Sequence, residues 1–243
     1  ERKFGLKQIE DKRKELLEPY LKKADYQNGD VKEQVSNIVK SIFGSYRFQS
    51  FGEYSALLSC FNIEVKQVRG DFEGTPYNGI VYTMTDDAGK PLCTPIKSSL
   101  IGKRYGYEGL EKRIGYNTRE YKARKWQPKI RNDVALAMHG CHGDREEFVR
   151  LLGGKGIDVV FRENDEGRIY GATFIDHKNR EVYNGSRLGK EFSANAFERL
   201  FNNPGDIPNP DAPIPEYGMQ SGFSSDMESA IEQAFGIFDM EAN

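Results

Sequence analysis

The stretch Phe51–Val65, FGEYSALLSCFNIEV, returns ninety-four residues later as Arg145–Val159, REEFVRLLGGKGIDV. Glu53-Tyr54 answers to Glu147-Phe148, Leu57-Leu58 to Leu151-Leu152, and Ile63-Glu64-Val65 to Ile157-Asp158-Val159, all at one offset. Apolar residues recur at helical spacing early in each stretch and alternate with polar ones at its end, so each copy reads as a helix running into a strand. Further on the offset narrows to 87. Ser99-Leu100-Ile101-Gly102-Lys103-Arg104-Tyr105 is answered by Ser186-Arg187-Leu188-Gly189-Lys190-Glu191-Phe192, and Leu110-Glu111-Lys112 by Phe197-Glu198-Arg199. A duplication of this extent decides the architecture before any single element does. The expected class is α+β: two copies of a helix, three-strand antiparallel meander, helix unit, with additional N-terminal helices and an acidic C-terminal tail.

Working outward, the first copy takes a helix over Phe51–Phe61, strand residues Ile63, Val65 and Val68, a β-rich run Tyr77–Met84, a turn at Asp86-Asp87-Ala88-Gly89 and a third strand over Pro91–Ile96. The second takes helix Arg145–Leu152, strands Ile157–Phe161, Ile169–Asp176 and Glu181–Tyr183, and helix Ala194–Phe201. Between the copies, Gln127–Met138 reads as a helix with Pro128 in its first turn, where proline is tolerated. Ahead of them, Leu6, Ile9, Leu16, Leu17, Tyr20 and Leu21 predict a helix over 7–23, and Asp30 is placed to cap another carrying Val31, Val35, Ile38, Val39 and Ile42. Five of the ten prolines fall in Pro204–Pro215, which predicts an extended linker; Met227, Ile231, Phe235 and Phe238 then recur at helical spacing in an acidic setting. The expected organisation is N-terminal helices over 1–49, units over 50–126 and 127–203, and a linker and tail over 204–243.

At 243 residues the chain is long enough to bury a sizeable core. No run of about 18 apolar residues is present, so no membrane-spanning helix is expected. The chain opens in a charged, helix-like stretch with no apolar leader, which reads as no secretion signal and as a piece of a longer protein. Three scattered cysteines, Cys60, Cys93 and Cys141, point to a reducing cytoplasm. The net charge of −2 hides an asymmetry: eight acids and no Lys or Arg follow Pro204, so residues 1–203 set 35 cations against 29 acids and carry +6. Between Lys97 and Arg131, eleven Lys or Arg face three Glu. A local field of that sign attracts polyanions and weakens with salt.

The recurring Ser-x-x-Gly-Lys motif sits where each last strand gives way to a helix. Unpaired N–H groups, a glycine, a hydroxyl and an ammonium suit a phosphate there. It is not a Walker loop, because its first glycine is missing and Lys103 and Lys190 precede Arg104 and Glu191 instead of Ser or Thr. The candidate nucleic-acid contacts are Ser99, Gly102, Lys103 and Arg104, then Lys112, Arg113, Arg119, Lys122, Arg124 and Lys125, with Ser186, Arg187, Gly189 and Lys190 in the second copy. In the first copy Tyr105, Tyr107, Tyr116, Tyr121 and Trp126 are interleaved with the cations, a mixture suited to phosphates and bases together. A bland reading remains beside this one, in which Ser caps, Gly turns and the basic helix is merely solvated. His139, Cys141 and His142 are too tightly spaced for usual metal-ligand patterns. No spacing singles out a catalytic pair, and no cofactor or metal is expected.

These residues resemble a known family. Ile157-Asp158-Val159-Val160, then Gly167-Arg168-Ile169-Tyr170-Gly171-Ala172-Thr173-Phe174-Ile175-Asp176, then Tyr183-Asn184-Gly185-Ser186-Arg187-Leu188-Gly189-Lys190 with Phe192-Ser193, look like the segment that follows the nuclease domain in relaxases. These are the mobilization proteins of plasmids and transposons, and the likeness is closest to those of Bacteroides-type mobile elements. It covers residues 1–203, most strongly 145–202, and the opening Glu1-Arg2-Lys3-Phe4-Gly5-Leu6 resembles the point where that nuclease domain runs out. Relaxases nick DNA with a tyrosine nucleophile and a histidine-held metal in their N-terminal domain. This chain lacks that histidine cluster, so the resemblance implies no catalytic residue here. It implies a non-catalytic region that contacts the backbone of origin-of-transfer DNA, with relaxosome proteins as further partners through the acidic tail. Two alternatives stand beside it: a protein-interaction module recruiting relaxosome or coupling-protein partners, and a metal-dependent nuclease using His139, His142, Asp144 and His177.

Overall fold

The computed structural model describes residues 22–72, 75–123 and 130–202. The helix expected over 7–23 lies outside them but for Lys22 and Lys23, which are not helical; Arg124, Lys125, Trp126 and the tail also lie outside. The described chain is α+β. Helix α1 (Val31–Ser45) and α2 (Phe51–Ser59) lead into strands β1 (Ile63–Phe72), β2 (Thr75–Met84) and β3 (Ile96–Lys97), two 3-10 turns (Ser98–Leu100 and Lys103–Tyr105) and α3 (Tyr107–Ala123). The second half repeats the order: α4 (Arg131–Gly140), α5 (Arg145–Gly153), β4 (Ile157–Glu163), β5 (Ile169–Asp176), β6 (Glu181–Asn184), a short α6 (Gly185–Leu188), a 3-10 turn (Lys190–Phe192) and α7 (Ala194–Asn202). Each half holds one three-stranded antiparallel sheet, ordered β1-β2-β3 and β4-β5-β6.

Local chemistry sets the helix starts. The Asp30 carboxylate accepts Glu33 N–H at 2.8 Å, Ser50 Oγ accepts Glu53 N–H at 3.1 Å, and Asp144 accepts Glu147 N–H at 3.0 Å. Ser50 and Asp144 cap equivalent helices with different side chains, because either oxygen satisfies the orphan donor. The repeat also extends further upstream than the sequence reading placed it. Val35, Val39 and Ile42 on α1 and Tyr46 at its C-cap are buried, and so are Ile130, Val134, Ala137 and Cys141 in the corresponding positions around α4. The shared offset is 95, one more than downstream, because the second connector is a residue shorter. The unit is therefore helix, helix, meander, helix.

The third strand of the first copy differs from the expected Pro91–Ile96. Only Ile96 and Lys97 pair with Tyr82 and Val81, while Pro91 makes a single bridge with Thr85. Two prolines, Pro91 and Pro95, remove backbone donors in that span and exclude a continuous ladder.

The two halves share a core. Ile175 and Val182 from the second sheet are buried in the same cluster as Val39, Leu57 and Tyr82. The connector between α1 and α2 crosses over: Arg47 N–H donates to Arg180 O at 2.9 Å and Arg47 O accepts Val182 N–H at 3.0 Å, continuing the second sheet beyond β6. Two buried carboxylates lie on this seam. Glu53, fully enclosed, accepts Gln49 N–H at 2.5 Å and Asn184 N–H at 3.1 Å, and pairs with Arg187 at 3.2 Å. Glu181 pairs with Arg47 at 3.2 Å and accepts the Tyr183 hydroxyl.

Removing Arg187 strands the Glu53 charge. Because the Arg187 side chain is 38% exposed, the expected loss in Arg187→Ala is about 2 kcal/mol, below the range for a fully enclosed pair, or roughly 4–8 °C in Tm. A thermal melt checks this, and an unchanged Tm would contradict the pairing. Burial pushes both carboxyls above their ordinary value of 4.5, against the pull of Arg187 on Glu53 and of Tyr183 and Arg47 on Glu181. A carboxyl raised on folding contributes stability that is complete below its unfolded pKa and lost as pH rises through the folded one. Glu181→Gln should therefore flatten the decline in Tm above pH 4.5 relative to the parent; parallel pH profiles would refute the assignment.

Candidate nucleic-acid interface

The inward face of α3 carries Leu110, Ile114, Asn117 and Tyr121, at helical spacing. Asn117 Nδ2–H donates to Phe48 O at 2.8 Å, and the Tyr121 ring meets Tyr183 edge-on at 6.0 Å, which fixes the helix against both halves. Its other face therefore presents Lys112, Tyr116, Arg119 and Lys122 outward, and Tyr116 is half exposed.

Where α3 begins, the 3-10 turn Lys103–Tyr105 folds back against it and leaves an open cleft of about 490 Å³. Lys103, Arg104, Lys112 and Arg113 line it, with Glu108 as its one acid, Gly109 at the wall and Phe43 at the floor. Four of the residues expected from sequence to touch phosphate thus converge on one concavity. Among the described residues none of these four cations makes an ion pair. Arg104 lies over the Phe43 ring at 5.4 Å, a cation–π contact that leaves guanidinium edges open to an anion. Arg113 Nη2–H reaches Tyr46 O at 3.4 Å; partial burial and the charges of Arg104 and Arg47 hold its pKa below the usual value. Crowded, unpaired cations repel one another, and a bound anion relieves that repulsion.

The close approach of turn to helix requires a glycine. A Cβ on Gly109 would lie 2.0 Å from Arg104 O, so the backbone itself would have to move. Tyr82 Oη–H donates to Tyr105 O at 2.8 Å and pins the same turn to β2. The Ser-x-x-Gly-Lys motif is thus placed differently from its sequence reading: Ser99 makes no capping hydrogen bond, and Gly102 opens the 3-10 turn, not the α-helix. The cations come from that turn and from the first turns of α3.

The second copy has the same backbone and different chemistry. Gly189 again opens a 3-10 turn, with Ser186 and Lys190 exposed. Yet Arg187 is committed to Glu53, and Glu191, in the place of Arg104, pairs with Arg131 at 2.5 Å. Leu200 stands where the first copy has Arg113. The cleft lined by four cations belongs to the first copy. Phe43 is not among the residues the sequence singles out on α1; it shares the buried face with Val39, and nothing local marks it as a cleft floor.

The histidines do not converge. His139 is exposed at the end of α4, His142 lies in the following turn, and Asp144 caps α5. His177 sits on the seam, its Nδ1 2.7 Å from Tyr46 Oη and its Nε2 2.9 Å from Asp158, so both ring nitrogens are engaged. Burial pushes the Tyr46 hydroxyl up to about 12, so it stays protonated at neutral pH. Among the described residues no group of three or more His, Cys, Asp or Glu could hold a metal ion, and no helix is long and apolar enough to cross a membrane. No protein-family model, curated protein or solved structure matches the chain.

Gly109→Ala should displace the turn. A loss of about 1–3 kcal/mol in stability is expected, with weaker anion binding at the cleft at a temperature where the variant is folded. Paired melts and binding isotherms test this; wild-type values in both would show that the approach is not required.

Proposed function

We propose that this chain is a non-catalytic DNA-binding region of the relaxase type, which grips the backbone of origin-of-transfer DNA at the cleft between the Lys103–Tyr105 turn and α3. The observation that carries the reading is the convergence of Lys103, Arg104, Lys112 and Arg113, without ion-pair partners among the described residues, on one open concavity. Four cations within a few ångströms of a solvent-facing cleft destabilise one another unless a polyanion neutralises them. Arg119 and Lys122 continue the positive surface along the exposed face of α3, which suits a strand of successive phosphates better than a single nucleotide. The resemblance of residues 145–202 to mobilization proteins narrows the polyanion to transfer DNA and the setting to the cytoplasm. Chemistry on the DNA strand is left to a nuclease domain elsewhere in such a protein.

The test is a double variant, Lys103→Ala with Lys112→Ala, both exposed side chains whose loss leaves the core intact. In a salt titration of binding to labelled DNA, affinity should fall, and the slope of log K against log salt should become shallower by about 2. An unchanged affinity and slope would sink the cleft assignment.

A further inference from the structure

The β1–β2 hairpin is longer than its counterpart. Its strands pair continuously from Ile63↔Met84 to Phe72↔Thr75, whereas β3 reaches only Val81 and Tyr82. Beyond Ile80 the hairpin is therefore a two-stranded arm with no third strand beside it. In the second half β4 and β5 stop earlier, with a bulge at Arg162/Glu163, and Arg162 folds back over Tyr170 at 5.6 Å. Only the first copy projects.

The arm has one polar face with a defined register. Ile63, Val65, Ile80, Tyr82 and Met84 point into the core. Side chains alternate along a strand and cross-strand partners share a face. Continuing that face outward gives Gln67 opposite Ile80, then Arg69 opposite Asn78. Gln67, Arg69 and Asn78 are exposed, and among the described residues their side chains make no hydrogen bond or ion pair. On the reverse face the Tyr77 ring covers Gly70, where a Cβ would stand 2.6 Å from it, so the arm is packed from behind. This polar face is also the side of the sheet on which the cleft lies, since Tyr82 on the same face holds the carbonyl of Tyr105. Asn78 stands ~14 Å along the strand from that contact, at ~3.4 Å per residue.

We infer that the β1–β2 arm enters the major groove of duplex DNA and reads base edges with Gln67, Arg69 and Asn78, while the cleft holds the adjacent phosphates. The major groove admits a two-stranded ribbon, and Arg, Asn and Gln are the side chains that pair bidentately with guanine and adenine there. A merely solvated hairpin has no need of three such side chains in one row, and the shorter hairpin of the second copy lacks them. The inference rests on the cleft reading and gives it a substrate form: duplex, with sequence preference arising at the arm and affinity at the cleft.

Selection of bound sites from a randomised duplex library by the full chain tests it, followed by affinities for the selected and a scrambled duplex across a salt series. The parent should enrich a motif. Arg69→Ala and Asn78→Ala should each reduce the selected-to-scrambled ratio on the order of 10-fold, with Tm unchanged and, for Asn78→Ala, affinity for the scrambled duplex and its salt slope retained. Salt-dependent duplex binding without any enriched motif, or a motif that survives both substitutions, would overturn the arm's role and leave the cleft standing; the latter result would fit an arm that meets a protein instead. No duplex binding at all would overturn the arm's role, and a further absence of binding to single-stranded DNA would remove the cleft reading as well.

Discussion

The structure turns on a carboxylate with no access to water. Glu53 is held at the seam between the halves by two backbone N–H groups, from Gln49 and Asn184, and by the guanidinium of Arg187. An enclosed charge is tolerated only where every lone pair has a partner, so the contacts of this one side chain fix the register of one half on the other. Helix α2, the Gln49 connector and the exit of β6 cannot shift independently without stranding it. Arg47, pairing with Glu181 and extending the second sheet, repeats the device a short distance away. The equivalent of Glu53 in the second copy, Glu147, has no seam to serve and pairs with Arg150 on its own helix at 2.6 Å.

That seam explains how two copies of one backbone do different work. The second copy supplies Ile175 and Val182 to the shared core and Arg187 to Glu53, and its Glu191 is satisfied by Arg131. The first copy kept its turn at the surface and placed cations at three positions where the second has Glu191, Arg199 and Leu200, adding a guanidinium at Arg104 and Arg113. The same hydrogen-bonded turn, opened by Gly102 in one copy and Gly189 in the other, therefore presents a basic cleft in one and a surface of ion-paired Arg187 and Glu191 in the other.

Much of the fold was legible because duplication amplifies weak local signals. Helical spacing at Leu57-Leu58 is ordinary alone; matched by Leu151-Leu152 at a fixed offset, it locates a helix twice. Strand β5 is legible at its observed bounds, since Ile169–Asp176 is flanked by turn residues. The correspondence of α1 and α4 does not stand out, because of the four matched core positions only Val39 and Val134 are identical and the offset changes from 95 to 94 at the connector. The third strand failed at Pro91 and Pro95, where missing donors outweigh an apolar pattern. At the site, Lys103, Arg104, Lys112 and Arg113 were visible as a charge excess. Their convergence depends on Gly109 admitting a carbonyl, and a contact five residues apart in sequence does not show as spacing. The role of Arg187 depends on a partner 134 residues away, so sequence could read only its charge.

The most direct measurement is the backbone amide spectrum of the isotopically labelled full chain during titration with a short DNA duplex at low salt. The account predicts that shifts concentrate at the Lys103–Tyr105 turn, the first turns of α3 and the β1–β2 arm, with the Gly189–Phe192 turn of the second copy little changed. Equal perturbation of both turns, or shifts centred on α4 and α5, would contradict the claim that one diverged copy supplies the grip.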